Sequence, residues 1–376
     1  MNSQLFANTH NAYILSTWRQ SLRLCLTLCL FTLAAAAQSH TTGRHHLPTP
    51  STIRLGTFGQ SLQTLVAERQ GFFAEQNLTV SVLSVTSSTQ QFQFLRDGQY
   101  DMISTSPDNV VNYRLNPNNA LASIINAKVI AGTNYGQNLS LLGQRGMTSL
   151  TDFRGRSMVL DSTVSGFAFV MYKMLKNVGM TKDVDYSVVP CGGGTQRFQA
   201  LLNGRCGSNG IAITGGALLG GGTEFQAADA GFPTLHRIQD VASINPYLGG
   251  SIAAKEEWLA NNDEVAVRFL TAMIKATEWI LDPANREEAL QILQSQPNTS
   301  RLAAERSYEV QVTSGVGLIP EMTIDRRGLR AVLELRAEFG GFEQPQNINR
   351  LTTPAGGLYD RSYLREAQRI VDRCYR

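Results

Sequence analysis

The chain has 376 residues, enough for two domains of ordinary size or for one with a long extension. With 43% hydrophobic and 17% charged residues the composition is globular, and a formal charge of +3 gives no electrostatic case for nucleic acid or an anionic membrane surface. Of five histidines only His236 follows residue 48, which excludes a multi-histidine metal site in the body of the chain and leaves any Ser-His-Asp triad a single imidazole.

Residues 24–37 form an apolar block ending in four alanines, behind Arg19 and Arg23, and no acidic residue occurs before Glu68. This is the layout of a secretory signal, expected over residues 1–37, so the product is read as secreted or periplasmic. The block falls short of the roughly 20 residues a bilayer requires, which disfavours an uncleaved anchor. Residues 38–52, rich in Gln, Ser, His, Thr and Pro, read as a linker. Cys25 and Cys29 leave with the signal. Of the remaining Cys191, Cys206 and Cys374, the first two are the favoured disulfide, because together they can span one predicted helix.

From residue 53 strands and helices alternate. Ile53 to Gly56 reads as a strand, and Ser61 stands at a helix N-cap before Leu62, Leu65 and Val66, with Gly71 closing the helix. Val80, Val82 and Val85 mark a second strand. Ser87, Ser88 and Thr89 cap a helix that Gly98 ends, and 101–103 is a third strand leading to Ser104, Thr105, Ser106 and a helix opened by Pro107. Residues 123–130 complete this half. The second half repeats the pattern, with strands at 139–142, 157–160, 186–189 and 211–213. Helices follow Ser165 and the Cys191-Gly192-Gly193-Gly194-Thr195 turn, ending near Gly179 and Gly204. Such alternation predicts right-handed crossovers and largely parallel sheets. Beyond residue 255 the pattern is helical, near 263–282, 284–295, 300–313, 324–339 and 360–373.

A small, uncharged Ser/Thr/Gly turn recurs at the carboxyl end of each strand. Ligands of open α/β sheets bind beyond those ends, where helix N-termini offer free N–H groups. Helix capping accounts for any one such turn; recurrence in both halves points to a shared ligand site. The expected ligand-binding residues are Ser61, Ser88, Ser104, Thr105 and Ser106 in the first half. In the second they are Ser162, Thr163, Ser165, Gly193, Gly194, Thr195 and Thr214. Asp108 and Asp161 are the only acids placed at this edge. Asp161 is assigned to capping; Asp108 stays open between a cap and a partner for a ligand amine or ring N–H. The three glycines before Thr195 let backbone approach a ligand closely, so an acidic or polar head group is expected there.

Several segments resemble a known family. Residues 53–56 with Ala67-Glu68-Arg69-Gln70-Gly71-Phe72-Phe73-Ala74-Glu75-Gln76-Asn77-Leu78-Thr79-Val80 are similar to the opening of periplasmic solute-binding proteins of the sulfonate, nitrate and thiamine-precursor type. Leu95-Arg96-Asp97-Gly98-Gln99-Tyr100-Asp101 resembles a further segment of that family, as do residues 150–156 and 200–204 in the second half. The resemblance runs over residues 52–295. It implies an α/β, two-lobed type II periplasmic binding protein-like fold: lobe 1 from 53–132 with 250–295, and lobe 2 from 133–249. A helical C-terminal extension, 296–376, is expected to pack on lobe 1. The hinge crossings fall at 133–136 and 245–250, which puts Tyr135 and Tyr247 beside the cleft.

The functional expectation is a secreted solute-binding protein, not an enzyme, holding a small polar or anionic organic molecule between its lobes. It is read as a monomer with no cofactor, no metal and no nucleic acid. In a bacterial source the resemblance implies an ABC transporter membrane component as partner. The alternative is an enzyme like the fungal pyrimidine synthases of thiamine biosynthesis, which share the fold and carry pyridoxal phosphate on a lysine near a reactive histidine. Neither Lys nor His occurs between residues 51 and 127. A hydrolase would have to draw on His236 and Asp240, and no Gly-x-Ser-x-Gly elbow accompanies them.

Overall fold

The computed structural model describes residues 49–376 apart from 137, 208, 209, 298 and 376; the predicted signal and most of the linker lie outside the described residues. Strand β1 (Ser51–Thr57) opens the body, two residues earlier than the alternation indicated, because Ser51 and Thr52 continue the ladder onto Leu78 and Thr79 of β2 (Leu78–Ser84). Between them lies α1 (Leu62–Arg69), capped by Ser61. Then come α2 (Ser88–Arg96), β3 (Met102–Thr105), α3 (Pro107–Leu115) with Pro at its first turn, and β4 (Ala127–Asn134).

Asp101 explains the Gly-x-x-Asp segment. Its carboxylate accepts from the Arg54 backbone N–H at 2.8 Å and from Nε and Nη2 at 3.0 and 2.6 Å, which ties the start of β3 to β1. Gly56 lies under the Tyr100 ring, where a Cβ would come within 2.4 Å of it.

The second sheet starts with β5 (Ser140–Gly143) and β6 (Arg156–Leu160). Helix α4 (Gly166–Lys176) is capped by Ser165; β7 (Tyr186–Pro190) and α5 (Gly194–Asn203) follow. The segment expected as the next strand, 211–213, is instead a two-residue hairpin arm, β9 (Ile211–Ala212), against β8 (Arg205–Cys206). The sheet strand is β10 (Gly216–Leu219), between β5 and β6. Its first residue must be small, since a Cβ on Gly216 would lie 2.0 Å from the Leu142 carbonyl oxygen. The flanking glycines that permit this packing also hide the strand from a hydrophobic-pattern reading. Helix α6 (Thr223–Asp229), β11 (Thr234–Arg237) and β12 (Gly250–Lys255) complete the α/β part.

The sheets run β2-β1-β3-β12-β4 and β11-β5-β10-β6-β7. Each is parallel except for one strand: β12 is antiparallel to β3 and β4, and β5 to β10 and β11. These two strands are where the chain enters the second sheet and returns to the first. The crossings touch: the Gly249 N–H donates to the Asn134 carbonyl at 3.0 Å, and a Cβ on Gly249 would meet Gly136 at 2.3 Å.

The predicted helices form as α7 (Asp263–Leu281), α8 (Arg286–Gln294), α9 (Arg301–Val312), α10 (Arg326–Glu338) and α11 (Ser362–Cys374). The tail does not pack on the first lobe alone. Helix α11 lies on α7, but Glu338 of α10 pairs with Lys173 and Lys176 of α4, and Arg306 of α9 pairs with Asp229 of α6. Both sheets and α10 share one apolar core that includes Phe92, Val129, Leu141, Phe169, Val332 and Leu335. A second core lies between the first sheet and α1, α7 and α8, and a third lies around α5. Cys191 and Cys206 form the expected disulfide across the two ends of α5, and Cys374 is exposed with a free thiol. Among the described residues no helix is long and apolar enough to cross a membrane.

Candidate functional site

A cavity of about 520 Å³ lies beyond the carboxyl ends of β1, β3, β6 and β10 and beside the two crossings. Helices α1, α3, α4, α5 and α6 begin at its wall. Ser61 Oγ accepts from the Thr64 N–H at 3.2 Å, Ser106 Oγ from Asp108 N–H at 3.3 Å and Ser165 Oγ from Ala168 N–H at 3.1 Å, so α1, α3 and α4 are capped by side chains. The fourth, α5, starts after Gly193, and no side chain caps it. Its first-turn amides therefore remain available to an acceptor.

Of the expected ligand residues, Ser61, Ser104, Thr105, Ser106, Ser165, Gly193, Gly194 and Thr195 all line this cavity. The others do not. Ser88 and Ser162 line a separate polar cavity of about 210 Å³, with Asn109, Asn112 and Arg336. Thr163 presents its carbonyl to the Tyr172 hydroxyl at 2.9 Å. Tyr135 packs against the shared core, and its N–H donates to the Gly317 carbonyl. Tyr247 is buried in the same core.

Thr214 sits at the opposite sheet edge. It trades hydrogen bonds with Ser157, the second residue of β6, because it precedes β10 rather than ending a strand. Its expected place is taken by Gly220, Gly221 and Gly222, which follow β10 into the cavity.

The two acids exchange roles. Asp108 is fully buried and receives Arg336 Nε at 2.7 Å and Nη2 at 3.0 Å, so it is committed to an internal ion pair. Asp161 lines the cavity and accepts from the Ser165 hydroxyl at 2.7 Å. Burial pushes its carboxyl above the usual range, opposed by the Arg197 guanidinium.

Two charged residues in the cavity wall escaped the sequence reading. Arg197, only 5% exposed, bonds the Leu218 carbonyl through Nη1 while its Nε has no partner among the described atoms. Burial lowers its pKa, and Asp161 opposes that shift without coming close enough for an ion pair. A cation in the first turn of a helix opposes the macrodipole, and that mismatch was the available signal. Glu224 accepts from the Gly222 N–H at 2.8 Å and is pushed up to about 8 by burial.

Among the described lining residues the ionisable side chains, Asp161, Arg197 and Glu224, thus all come from the side of the second sheet, while the side of the first contributes hydroxyls, amides and apolar groups. The described lining residues include neither lysine nor histidine. His236 lies 3.8 Å from Asp240 on the edge strand β11, away from the cavity. Among the described residues no three His, Cys, Asp or Glu side chains gather as a metal site would need.

Solved structures share this architecture. The periplasmic nitrate-binding protein NrtA of Synechocystis PCC 6803 superposes with a TM-score of 0.68 at 13% identity, over 86% of this chain and 90% of its own. The alkanesulfonate-binding protein SsuA of Xanthomonas axonopodis pv. citri, bound to MOPS, gives 0.63 at 10%, over 83% and 99%. The desulfurization enzyme DSZB gives 0.57 at 10%, over 85% and 99%. The fold, that of periplasmic binding proteins, therefore carries both binders and an enzyme. No curated protein sequence matches the chain significantly. The NMT1/THI5 like family model matches residues 59–286, more than half of the chain, and the chain belongs to that family.

Proposed function

We propose that this protein binds a small organic molecule through an anionic or strongly polar head group, between its two lobes, and performs no chemistry on it. The observation that carries the reading is the buried Arg197, whose Nε lacks a partner, in the same cavity as the uncapped start of α5. A buried cation with an N–H left unpaired costs stability unless an acceptor arrives, so the site favours an anion or a strong acceptor. The absence of lysine and histidine from the described wall supports a binder over a pyridoxal-phosphate enzyme. Proteins of the same fold described as a periplasmic nitrate-binding protein, a periplasmic sulfonate-binding protein of an ABC transporter and a ligand-binding component of an ABC-type import system support an exported chain that delivers its ligand to such a membrane component; the protein is further read as a monomer. The lobes are assigned to 53–132 with 250–295 and to 133–249, with the tail shared between them.

Mass spectrometry of molecules carried through native purification, followed by calorimetry with alkanesulfonates, nitrate, carboxylates and their neutral amides, tests the reading. Anions should bind more tightly than neutral counterparts. Arg197→Met should weaken them about thirtyfold or more, as loss of one partner of a buried charged contact does. Equal binding of neutral probes, or an unaffected Arg197→Met, would refute the anion seat. An aldimine absorbance band abolished by replacing a lysine would favour the pyrimidine-synthase-like enzyme.

A further inference from the structure

The family match ends at residue 286, yet the cavity wall continues past it. Ala303, Ser307, Val310 and Gln311 of α9 line the cavity at spacings of three to four residues, which is one face of a helix. Helix α9 is anchored on the first-lobe side, where the Tyr308 hydroxyl donates to the Ile280 carbonyl at 3.1 Å and Arg301 pairs with Glu287. It is anchored on the second-lobe side by Arg306, 2.7 Å from Asp229, and by the Ser300 hydroxyl on the same carboxylate. The glycine turn after β10 lies against it: a Cβ on Gly222 would stand 3.8 Å from Ser307 Oγ. Gln311 is 7% exposed, and among the described residues its Nε2 reaches only Ser307 O and Oγ, both at 3.4 Å. Those contacts are long for an amide, so the group is poorly satisfied by the protein itself.

We infer that α9 is a third wall of the binding site, in which Gln311 and Ser307 contact the bound molecule and select a neutral hydrogen-bonding substituent on it. This rests on the binding reading above and adds a second recognised part to the ligand. An uncharged amide beside a hydroxyl offers donors and an acceptor together. It therefore suits a hydroxyl, ether or amide better than an alkyl chain, which would leave these groups unpaired. The Arg306–Asp229 pair holds the wall against the second lobe.

Calorimetry with pentanesulfonate, 5-hydroxypentanesulfonate and the matching terminal amide tests the selection. The polar-ended probes should bind about three- to tenfold more tightly than pentanesulfonate, and Gln311→Leu should abolish or reverse that preference. A preference unchanged within about twofold in Gln311→Leu overturns the proposal. The wall is tested separately through Ser307→Cys in a Cys374→Ser background. Methyl methanethiosulfonate should modify Cys at this position while a polyethylene-glycol maleimide should not; modification by both places it on open surface and overturns the proposal. If no sulfonate binds, the anion reading fails and takes the selection with it. The thiol result then still decides whether α9 walls the cavity.

Discussion

Arg336→Met is the most demanding test of how this fold is held together. The guanidinium is 1% exposed and Asp108 is 0% exposed, with two charged contacts of 2.7 and 3.0 Å between them. Arg336 also donates to Asn112 Oδ1 at 3.1 Å, to the Gly341 carbonyl and to the Val164 carbonyl at 3.4 Å. Asp108 and Asn112 belong to α3 of the first lobe, Val164 precedes α4 of the second, and Arg336 comes from the tail. The surroundings are tight, since a Cβ on Gly166 would fall 2.5 Å from the Asp108 Cβ.

Methionine keeps most of the stem's packing but strands a buried carboxylate. Breaking one side of a buried pair costs about 3–5 kcal/mol, a large share of the roughly 5–15 kcal/mol available to a domain. Removing the stranded charge as well should recover much of the loss. The double variant Asp108→Asn with Arg336→Met is expected to be at least about 2 kcal/mol more stable than the sum of the singles predicts. Urea unfolding followed by far-UV circular dichroism measures all four corners of the cycle. A cost below about 1 kcal/mol for Arg336→Met, or strict additivity, would show that the pair does not hold the three parts together.

Gly193→Val should fold normally, because φ is −70° and its nearest cross-cavity neighbour, Phe58, lies 3.6 Å from an added Cβ. The larger side chain would fill the space before α5, and calorimetry should show about tenfold or greater loss of affinity for the anions that bind the wild type. Glu224 has a folded pKa of about 8 against an ordinary 4.5, so the native state holds the extra proton between those values. Stability should fall as pH rises through that window, by up to about 1.4 kcal/mol per unit. Asp161, shifted in the same direction by burial, adds in the same sense. Glu224→Gln should flatten the profile, and thermal melts from pH 4.5 to 8 that show no difference would count against the buried carboxyl. Replacing Cys191 and Cys206 with serine opens a loop of 15 residues and should cost about 3 kcal/mol, read from denaturation with and without reductant.

Much of this molecule is written in short-range terms. Ser61, Ser106 and Ser165 cap the helices they precede, and Gly71, Gly98, Gly179 and Gly204 take up left-handed φ at helix ends, because both choices depend only on residues within one turn. The same locality located the strand ends, and with them eight of the residues that line the cavity.

Tertiary structure decided what no local pattern encodes. Asp108 and Asp161 look alike in sequence, each a polar residue just past a strand. Only Arg336, 228 positions away, turns the first into a buried strut and leaves the second to face the cavity. Thr214 was misplaced because strand polarity within a sheet is set by pairing: β10 begins after it, and the glycines at the start of β10 and flanking it blur the apolar signal. Ser307 lies in the helical tail, far in sequence from the strand turns, yet the fold brings its helix across to Asp229 and into the wall. Charge pairing and packing between distant segments depend on three-dimensional proximity, which hydrophobic period and capping chemistry do not specify.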